Sequence, residues 1–543
     1  MKNNNIDLIL ISQSEIVKYS KYSKFPIERI SIYKNLIYPR MLYYKNAFRS
    51  HLDVLNKLRF GIFWDEASFV DRRTLFSIWN LPGFVGTHLA NYLTQFGIKV
   101  CVINNFDAEW DLFCDAYENS DTKPLVGIST TFHLDYSEIN RIISLIKKNY
   151  PKSKILLGGA FVNEQADTIG TEGLIQYMNK YEIDFIVHSF NSEHDIKTLL
   201  TNKNNLRLVN NTILSRPLNE QRKNIITKTK WNDPIIENLP PHWKSLNMPF
   251  LNKTIQMRTS SGCPFSCAFC SYPTLSKGFH TCKTEFFEVQ LNGITEQTNI
   301  KNIIFIDDTL NVPVTRFKSL CKIFAKKDFE WFSFLRVQFV TDEIAKLMKE
   351  SGCRGVYLGI ESANDQVLKN MNKKATKKQF KRGIEFLKKY DITSMAAFVL
   401  GFPGETRETI NENIQFIEEM RFDFYTVKEF YYLKNSPIYK NRHKFQLQGD
   451  ANKWSHKTMN SNSVYDYKIL MLRTIKNSVF IDPDISLWYI AYLYDQGFSI
   501  CEIKDIQRNI NTLMLSQIDN RFDDMHPAYD KISEILKKNM NNL

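Results

Sequence analysis

The sequence predicts an α/β protein made of an N-terminal Rossmann-type domain, a partial barrel of six strand–helix units and a helical C-terminal domain. Short aliphatic, β-branched runs alternate with helical stretches over the first part of the chain, the pattern of a parallel sheet covered by helices. A polar, proline-bearing stretch then interrupts this alternation, which afterwards restarts. Near the end strands give way to aromatic-rich helices such as 487–494, Leu-Trp-Tyr-Ile-Ala-Tyr-Leu-Tyr. The expected boundaries are 1–215 for the first domain, 216–250 for the linker, 251–430 for the barrel and 431–543 for the C-terminal domain.

In the first domain the strand runs are 6–11, 99–103, 125–130, 154–159 and 184–188, with helices over 84–96, 139–148 and 194–200. Ligands of such doubly wound sheets sit beyond the carboxyl ends of the strands. The second series has strands at 254–259, 301–306, 331–337, 355–360, 395–400 and 423–427. Between them lie helices with apolar residues at three-to-four spacing, for example Ile344, Leu347 and Met348 before the stop signal Ser351-Gly352. In parallel barrels the chemistry gathers at the carboxyl ends of the strands. Residues that end these strands are therefore the first candidates for function.

Composition narrows the class. A hydrophobic fraction of 43% over 543 residues is ample for buried cores. The apolar run near the start, 6–11, is too short for a signal h-region or a membrane span, so a cytoplasmic protein without membrane contact is expected. Nine cysteines, an odd and scattered set, fit a reducing compartment. The formal charge of +13 is spread through Lys- and Asn-rich stretches such as 369–389, the pattern of a solvated helix face rather than a nucleic-acid groove.

One motif stands apart. Cys263, Cys267 and Cys270 lie in a short loop directly after the first strand of the second series. Roughly 0.003 such triplets would arise by chance in a chain with this cysteine content. Three thiolates are one short of the usual [4Fe-4S] ligand set, which leaves one iron open to a small-molecule ligand. Zinc is the competitor, but a structural zinc site needs a fourth ligand at similar spacing, and the next candidates, His280 and Cys282, lie 10 and 12 residues beyond Cys270.

Cys-x3-Cys-x2-Cys with an aromatic residue before the last cysteine, here Phe269, resembles the radical SAM superfamily. The runs 305–309 (Phe-Ile-Asp-Asp-Thr), 359–362 (Gly-Ile-Glu-Ser) and 400–406 (Leu-Gly-Phe-Pro-Gly-Glu-Thr) are similar to strand-end signatures of that family, in the family's order. A Rossmann-type domain ahead of the barrel looks like the cobalamin-binding class. The runs 258–262 (Arg-Thr-Ser-Ser-Gly) and Trp454-Ser455-His456 resemble its P-methyltransferase-like subgroup.

The resemblance implies a [4Fe-4S] cluster on Cys263, Cys267 and Cys270, with the fourth iron chelating the amino and carboxylate groups of S-adenosylmethionine. Electron transfer into the sulfonium would then give methionine and a 5′-deoxyadenosyl radical, chemistry supplied by the cofactors. The same resemblance sets Phe269 against the adenine and Asp307 or Asp308 against the methionyl ammonium. Arg336 would pair with the methionyl carboxylate through its planar fork. Glu361 and Ser362 would hydrogen-bond ribose or amine, and the backbone of 398–400, ending at Leu400, would meet the adenine edge. Polar residues also simply end strands, and a surface ion pair is the competing role for Arg336.

Cobalamin is implied by the domain pairing alone. The Asp-x-His-x-x-Gly motif that supplies a histidine ligand in many B12-binding domains does not occur in 1–215; the only Asp-x-His is Asp524-Met525-His526. His133 lies at a plausible strand end, where a surface or hydrogen-bonded side chain is expected, and Gly158-Gly159 resembles a close-approach turn. The implied activity is a cobalamin-dependent methyltransferase acting on an unactivated carbon or a phosphinate phosphorus. The alternative is a cobalamin-free maturase that epimerises, crosslinks or rearranges a peptide or small molecule. Either would draw electrons from a donor such as flavodoxin or ferredoxin. A methylthiotransferase would carry three more cysteines in the first domain, where only Cys101 and Cys114 occur.

Overall fold

In the computed structural model the described residues are 5–15, 25–27, 40–133, 135–189, 191–201, 211–219, 222–229, 253–276, 278–482 and 486–540. The chain divides into two compact units: 1–18, 67–255 and 285–299 in one, and 19–66, 256–284 and 300–543 in the other.

The first unit is built on strands β1 (Leu8–Gln13), β2 (Val100–Asn105), β3 (Leu125–Ser129), β4 (Lys154–Gly158), β5 (Phe185–His188), β6 (Asn211–Asn219) and β7 (Arg222–Thr229). Their order in the sheet is β2-β1-β3-β4-β5-β7-β6. β1 pairs in parallel with both β2 and β3, so the order reverses at β1 and opens the crevice where doubly wound sheets take their ligands. Strand alternation divides the core between the two faces. Ile9 and Ile11 pack on one face with Ile139, Ile142, Ile143 and Ile146, while Leu8 and Leu10 pack on the other with Leu89 and Leu93. The four isoleucines recur at i, i+3, i+4 and i+7 of the helix Tyr136–Asn149, which Asp135 caps by accepting from Ser137 N–H. Burying each contributes about 1.5–3 kcal/mol.

The expected boundary at 215–216 falls inside β6. β6 and β7, which span the start of the expected linker, pair antiparallel, and β7 extends the sheet in parallel with β5. Its polar residues, Lys223, Asn224, Thr227, Lys228 and Thr229 among them, interrupt the aliphatic run by which a strand is read from sequence. The rest of the expected linker, 230–250, lies outside the described residues.

The second sheet is β8 (Thr254–Met257), β9 (Asn302–Phe305), β10 (Glu330–Leu335), β11 (Cys353–Glu361), β12 (Thr393–Leu400), β13 (Phe424–Glu429) and β14 (Val479–Phe480), in that order, and all of it from residue 256 onward belongs to the second unit. The pairs from β9 to β14 are all parallel, and the sheet holds a seventh, two-residue strand beyond the six expected. The helix Lys377–Lys389 opens with a capping box of Thr376 and Gln379 and buries Phe380, Ile384 and Leu387. C-terminal helices Ser461–Thr474, Ser486–Asp495, Ile500–Ile518 and His526–Met540 complete the unit.

Residues 40–66 belong with these helices and not with the Rossmann-type sheet that precedes and follows them in sequence. The ribbon Met41–Tyr44/Ala47–Ser50 is clamped by Gln517, whose Oε1 accepts from Tyr43 N–H at 2.7 Å and whose Nε2 donates to Met41 O at 3.2 Å. Tyr529 OH donates to Tyr43 O, and Met41 and Phe48 pack on Tyr465. No described helix is long and apolar enough to cross a membrane.

Candidate active site

The cysteine loop leaves β8 through a short antiparallel ribbon, Ser260–Gly262 with Phe279–Thr281. Gly262 has φ +85°, and a Cβ there would lie 1.8 Å from Gly278 O, so only glycine allows the chain to turn into Cys263. The loop is pinned from outside: Ala268 N–H donates to Met371 O, Ile438 N–H to Ala268 O, and Asn372 Nδ2 to Ser266 O. Cys267 is buried and the other two cysteines are half-buried.

The thiols sense one another. Burial, chiefly, raises Cys270 to about 11, and the charges of Cys267, Asp308 and Cys263 add to the rise. Burial likewise raises Cys263, with Asp308 and Cys267 adding and Arg336 opposing. Three sulfur donors crowded at one strand end match the ligand set of an iron-sulfur cluster. Among the described residues no three His, Cys, Asp or Glu side chains are grouped to hold a single metal ion.

The structure separates Asp307 from Asp308. Asp307 is buried and accepts from Thr259 N–H at 2.9 Å, from Thr259 Oγ1 at 2.7 Å and from the Ser260 hydroxyl. Arg316 closes this knot, donating to Thr259 O and Cys282 O. Of the two carboxylates expected as candidates for an ammonium ligand, Asp307 thus fastens the strand that launches the cysteine loop. Asp308 keeps a solvent-accessible edge, yet the protein crowds its carboxyl; burial and Asp307 push it up to about 7, against the pull of the Tyr272 hydroxyl and Arg258.

Glu361 closes β11 at φ +66°, after a register shift between Gly359 and Glu361. Its Oε1 meets Lys373 Nζ at 2.9 Å, with side-chain exposures of 12% and 5%. A Cβ at position 359 would stand 2.6 Å from that carboxylate oxygen and 2.9 Å from the ammonium, so the space between strand and ion pair exists because residue 359 is glycine. Lys373 lies in the Lys-rich stretch read from sequence as a solvated face; the structure buries it.

Arg336 is also buried, which rules out the surface ion pair. Its Nη2 donates to Cys267 Sγ at 3.0 Å, its Nη1 to Lys373 O at 3.1 Å, and its guanidinium lies 3.6 Å from the Phe265 ring centre. Ser362 is fully buried and its hydroxyl accepts from Asn364 N–H, a turn-closing role in place of the expected ligand contact. Leu400 O accepts from Phe430 N–H at 2.7 Å. Phe269 is half-buried with its ring edge-on to Phe402 at 6.2 Å.

The run after Leu400 is internally satisfied. Glu405 accepts from Gly401 N–H and from Asn413 Nδ2, and burial drives its carboxyl up to about 8. His456 bonds Gly401 O and stacks on Trp454, whose indole donates to Phe430 O. These residues form core. Arg316 had no signal of its own in the sequence, because its partners Thr259 and Cys282 lie far off in the chain.

Strand alternation puts Phe334 and Arg336 on one face. Tyr357 and Trp488 contact Phe334 on that face, at ring-centre distances of 5.2 and 5.4 Å, and exposed Lys428 on β13 reaches to 5.9 Å from the Tyr357 ring.

In the first unit, His133 follows β3 at the crevice. It is buried, neither ring nitrogen has a hydrogen-bond partner, and burial holds it down to about 4. The hydroxyls of Ser12, in β1, and Ser14, just past its end, are likewise buried without partners. After β4, a Cβ on Gly159 would lie 2.9 Å from both Thr130 N and Thr131 N. His133, whose backbone N–H donates to Thr130 O beside this tight approach, offers an unpartnered imidazole nitrogen at the carboxyl end of β3, where doubly wound sheets take their ligands.

Residues 257–417 match the Radical SAM superfamily. Over 169 residues the chain is 33% identical to an uncharacterised methyltransferase of Pyrococcus horikoshii, a match covering 31% of this chain and 37% of that protein. It is 28% identical over 200 residues to the bacteriochlorophyllide d C-12(1)-methyltransferase of Chlorobaculum tepidum, covering 35% and 44% respectively. The chain therefore spans less than half the length of these curated relatives. Among solved structures, the cobalamin- and [4Fe-4S]-bound methyltransferase TsrM of Kitasatospora setae aligns over 80% of this chain and 74% of its own, with a TM-score of 0.51 and 14% identity. OxsB, a cobalamin-dependent S-adenosylmethionine radical enzyme with aqua-cobalamin bound, aligns over 99% and 81% with a TM-score of 0.52 and 14% identity. At that identity the likeness is one of fold.

Proposed function

We propose that this chain, which carries a radical SAM domain over residues 257–417, is a cobalamin-dependent methyltransferase that cleaves S-adenosylmethionine reductively and methylates a small molecule at an unactivated carbon or a phosphinate phosphorus. The observation that carries the reading is the pairing of a three-cysteine loop at the barrel strand ends with a separate Rossmann-type unit whose crevice holds an unpartnered buried imidazole. The fold likeness to two enzymes solved with cobalamin bound supports it.

Cys263, Cys267 and Cys270 hold the cluster, and Asp307 with Arg316 fixes the strand from which their loop departs. Asp308, the carboxylate with a solvent-accessible edge, receives the ammonium of S-adenosylmethionine, and Phe269 lies beside its adenine. In the first unit the Gly159 turn and His133 hold the corrinoid. When bound, the cluster supplies an electron to the sulfonium and the corrinoid carries the methyl group. Lys428 and the aromatic group Phe334, Tyr357 and Trp488 line a face suited to an apolar substrate bearing an anionic group. The electron donor is a flavodoxin or ferredoxin.

The test is anaerobic purification with iron and hydroxocobalamin supplied, followed by absorbance spectroscopy and assay of methionine and 5′-deoxyadenosine. Both cofactors and reductant-dependent cleavage are expected; a preparation with full cleavage activity and no corrinoid would overturn the cobalamin reading.

A further inference from the structure

We infer that Arg336 is a positioning residue of the cluster, setting its reduction potential through Cys267. Two guanidinium N–H groups are committed to protein acceptors, Cys267 Sγ at 3.0 Å and Lys373 O at 3.1 Å, and the guanidinium lies 3.6 Å from the Phe265 ring centre. Its backbone is equally fixed: Asn311 Oδ1 accepts from Arg336 N–H and Asn311 Nδ2 donates to Arg336 O. The acceptor Lys373 is held in turn by its own N–H to Leu368 O and by its ammonium on Glu361. Each contact defines the direction of the fork, and that direction is toward a cluster-bearing sulfur.

The consequence follows from charge. One-electron reduction of a cluster adds a negative charge that spreads onto its thiolate ligands. A cationic N–H donor at one of those sulfurs stabilises the reduced form more than the oxidised form, in surroundings with little water to screen it. Arg336 therefore raises the potential and makes the cluster reducible by a biological donor. Lys373 and Glu361 act one step further out, by holding the carbonyl that aims the guanidinium.

The inference rests on the cluster part of the proposed function and on neither S-adenosylmethionine nor the corrinoid. It is tested on the reconstituted full chain, titrated anaerobically with dithionite and followed by electron paramagnetic resonance, with S-adenosylmethionine omitted. Arg336→Gln is expected to lower the reduced-to-oxidised ratio at a fixed potential about tenfold, which is about 59 mV more negative for one electron. Arg336→Lys keeps the charge but not the fork, and its midpoint is expected between the two. It also decides the question if the Gln variant fails to hold iron. An unchanged midpoint without S-adenosylmethionine, in whichever variant holds wild-type iron, overturns the inference, and a shift seen only with S-adenosylmethionine present returns Arg336 to the carboxylate. A wild-type chain that takes up no iron would instead sink the proposed function itself.

Discussion

Lys373 Nζ and Glu361 Oε1 meet at 2.9 Å, and both reach across Gly359, a residue with no side chain to hold them apart. A lysine from a charged stretch is thus neutralised by a strand-end glutamate in a nearly dry place. Glu361→Gln strands the ammonium and should cost about 3–5 kcal/mol, whereas the paired change Glu361→Leu with Lys373→Met should cost far less. Gly359→Ala forces the pair apart and should cost about 1–3 kcal/mol. Urea midpoints of the variants check the order; a Glu361→Gln protein as stable as the double variant would contradict it.

Neighbouring Asp307 and Asp308 should behave oppositely. Asp307→Asn turns an amide toward Thr259 N–H and breaks the knot below the cysteine loop, with an expected loss of about 1–3 kcal/mol and poorer iron retention. Asp308→Asn should leave melting and iron content near wild type and weaken S-adenosylmethionine binding. Iron per chain and calorimetric affinity separate the two; equal loss of iron in both would remove the distinction.

Glu405 links stability to pH. Its carboxyl titrates near 8 in the folded chain and near 4.3 when unfolded, so between those values the folded state holds the extra proton. Stability should be greatest below about pH 4.3 as far as this group is concerned. It should fall toward pH 8 with a slope of up to about 1.4 kcal/mol per unit. Glu405→Gln should flatten that slope, measured by urea unfolding at pH 5, 6.5 and 8. A wild-type slope retained in the variant would assign the effect elsewhere.

Gln517 is the fastening of the N-terminal ribbon. Gln517→Leu leaves Tyr43 N–H and Met41 O without their partner and should cost about 1–3 kcal/mol for each group left unsatisfied. Amide hydrogen exchange should show faster exchange over 41–50 with the β11 and β12 amides unchanged.

Much of the architecture was legible because its signals are local. Parallel strands buried on both faces read as aliphatic runs, and the cysteine triplet is compact. What stayed hidden depends on partners distant in sequence. Asp307 and Asp308 are the same residue type at adjacent positions, and only the arrival of Thr259 and Ser260 assigns one to the frame. Lys373 looks like every other lysine in 369–389 until Glu361 is brought beneath it. His133, expected on the surface or hydrogen-bonded, is buried and unpartnered, because burial is set by elements from the whole first unit. The strands 211–219 and 222–229 read as polar linker because lysine, asparagine and threonine interrupt their aliphatic runs.

The ribbon and helix over 41–60 lie in sequence between strands of the first sheet, yet pack with helices more than 400 residues further along. No single cut can release either unit whole. A fragment beginning at residue 251 would leave Tyr465, Gln517 and Tyr529 uncovered, and one ending at 250 would carry an orphan ribbon with nothing to fold against. Either unit is therefore expected to fold whole only when the full chain is made.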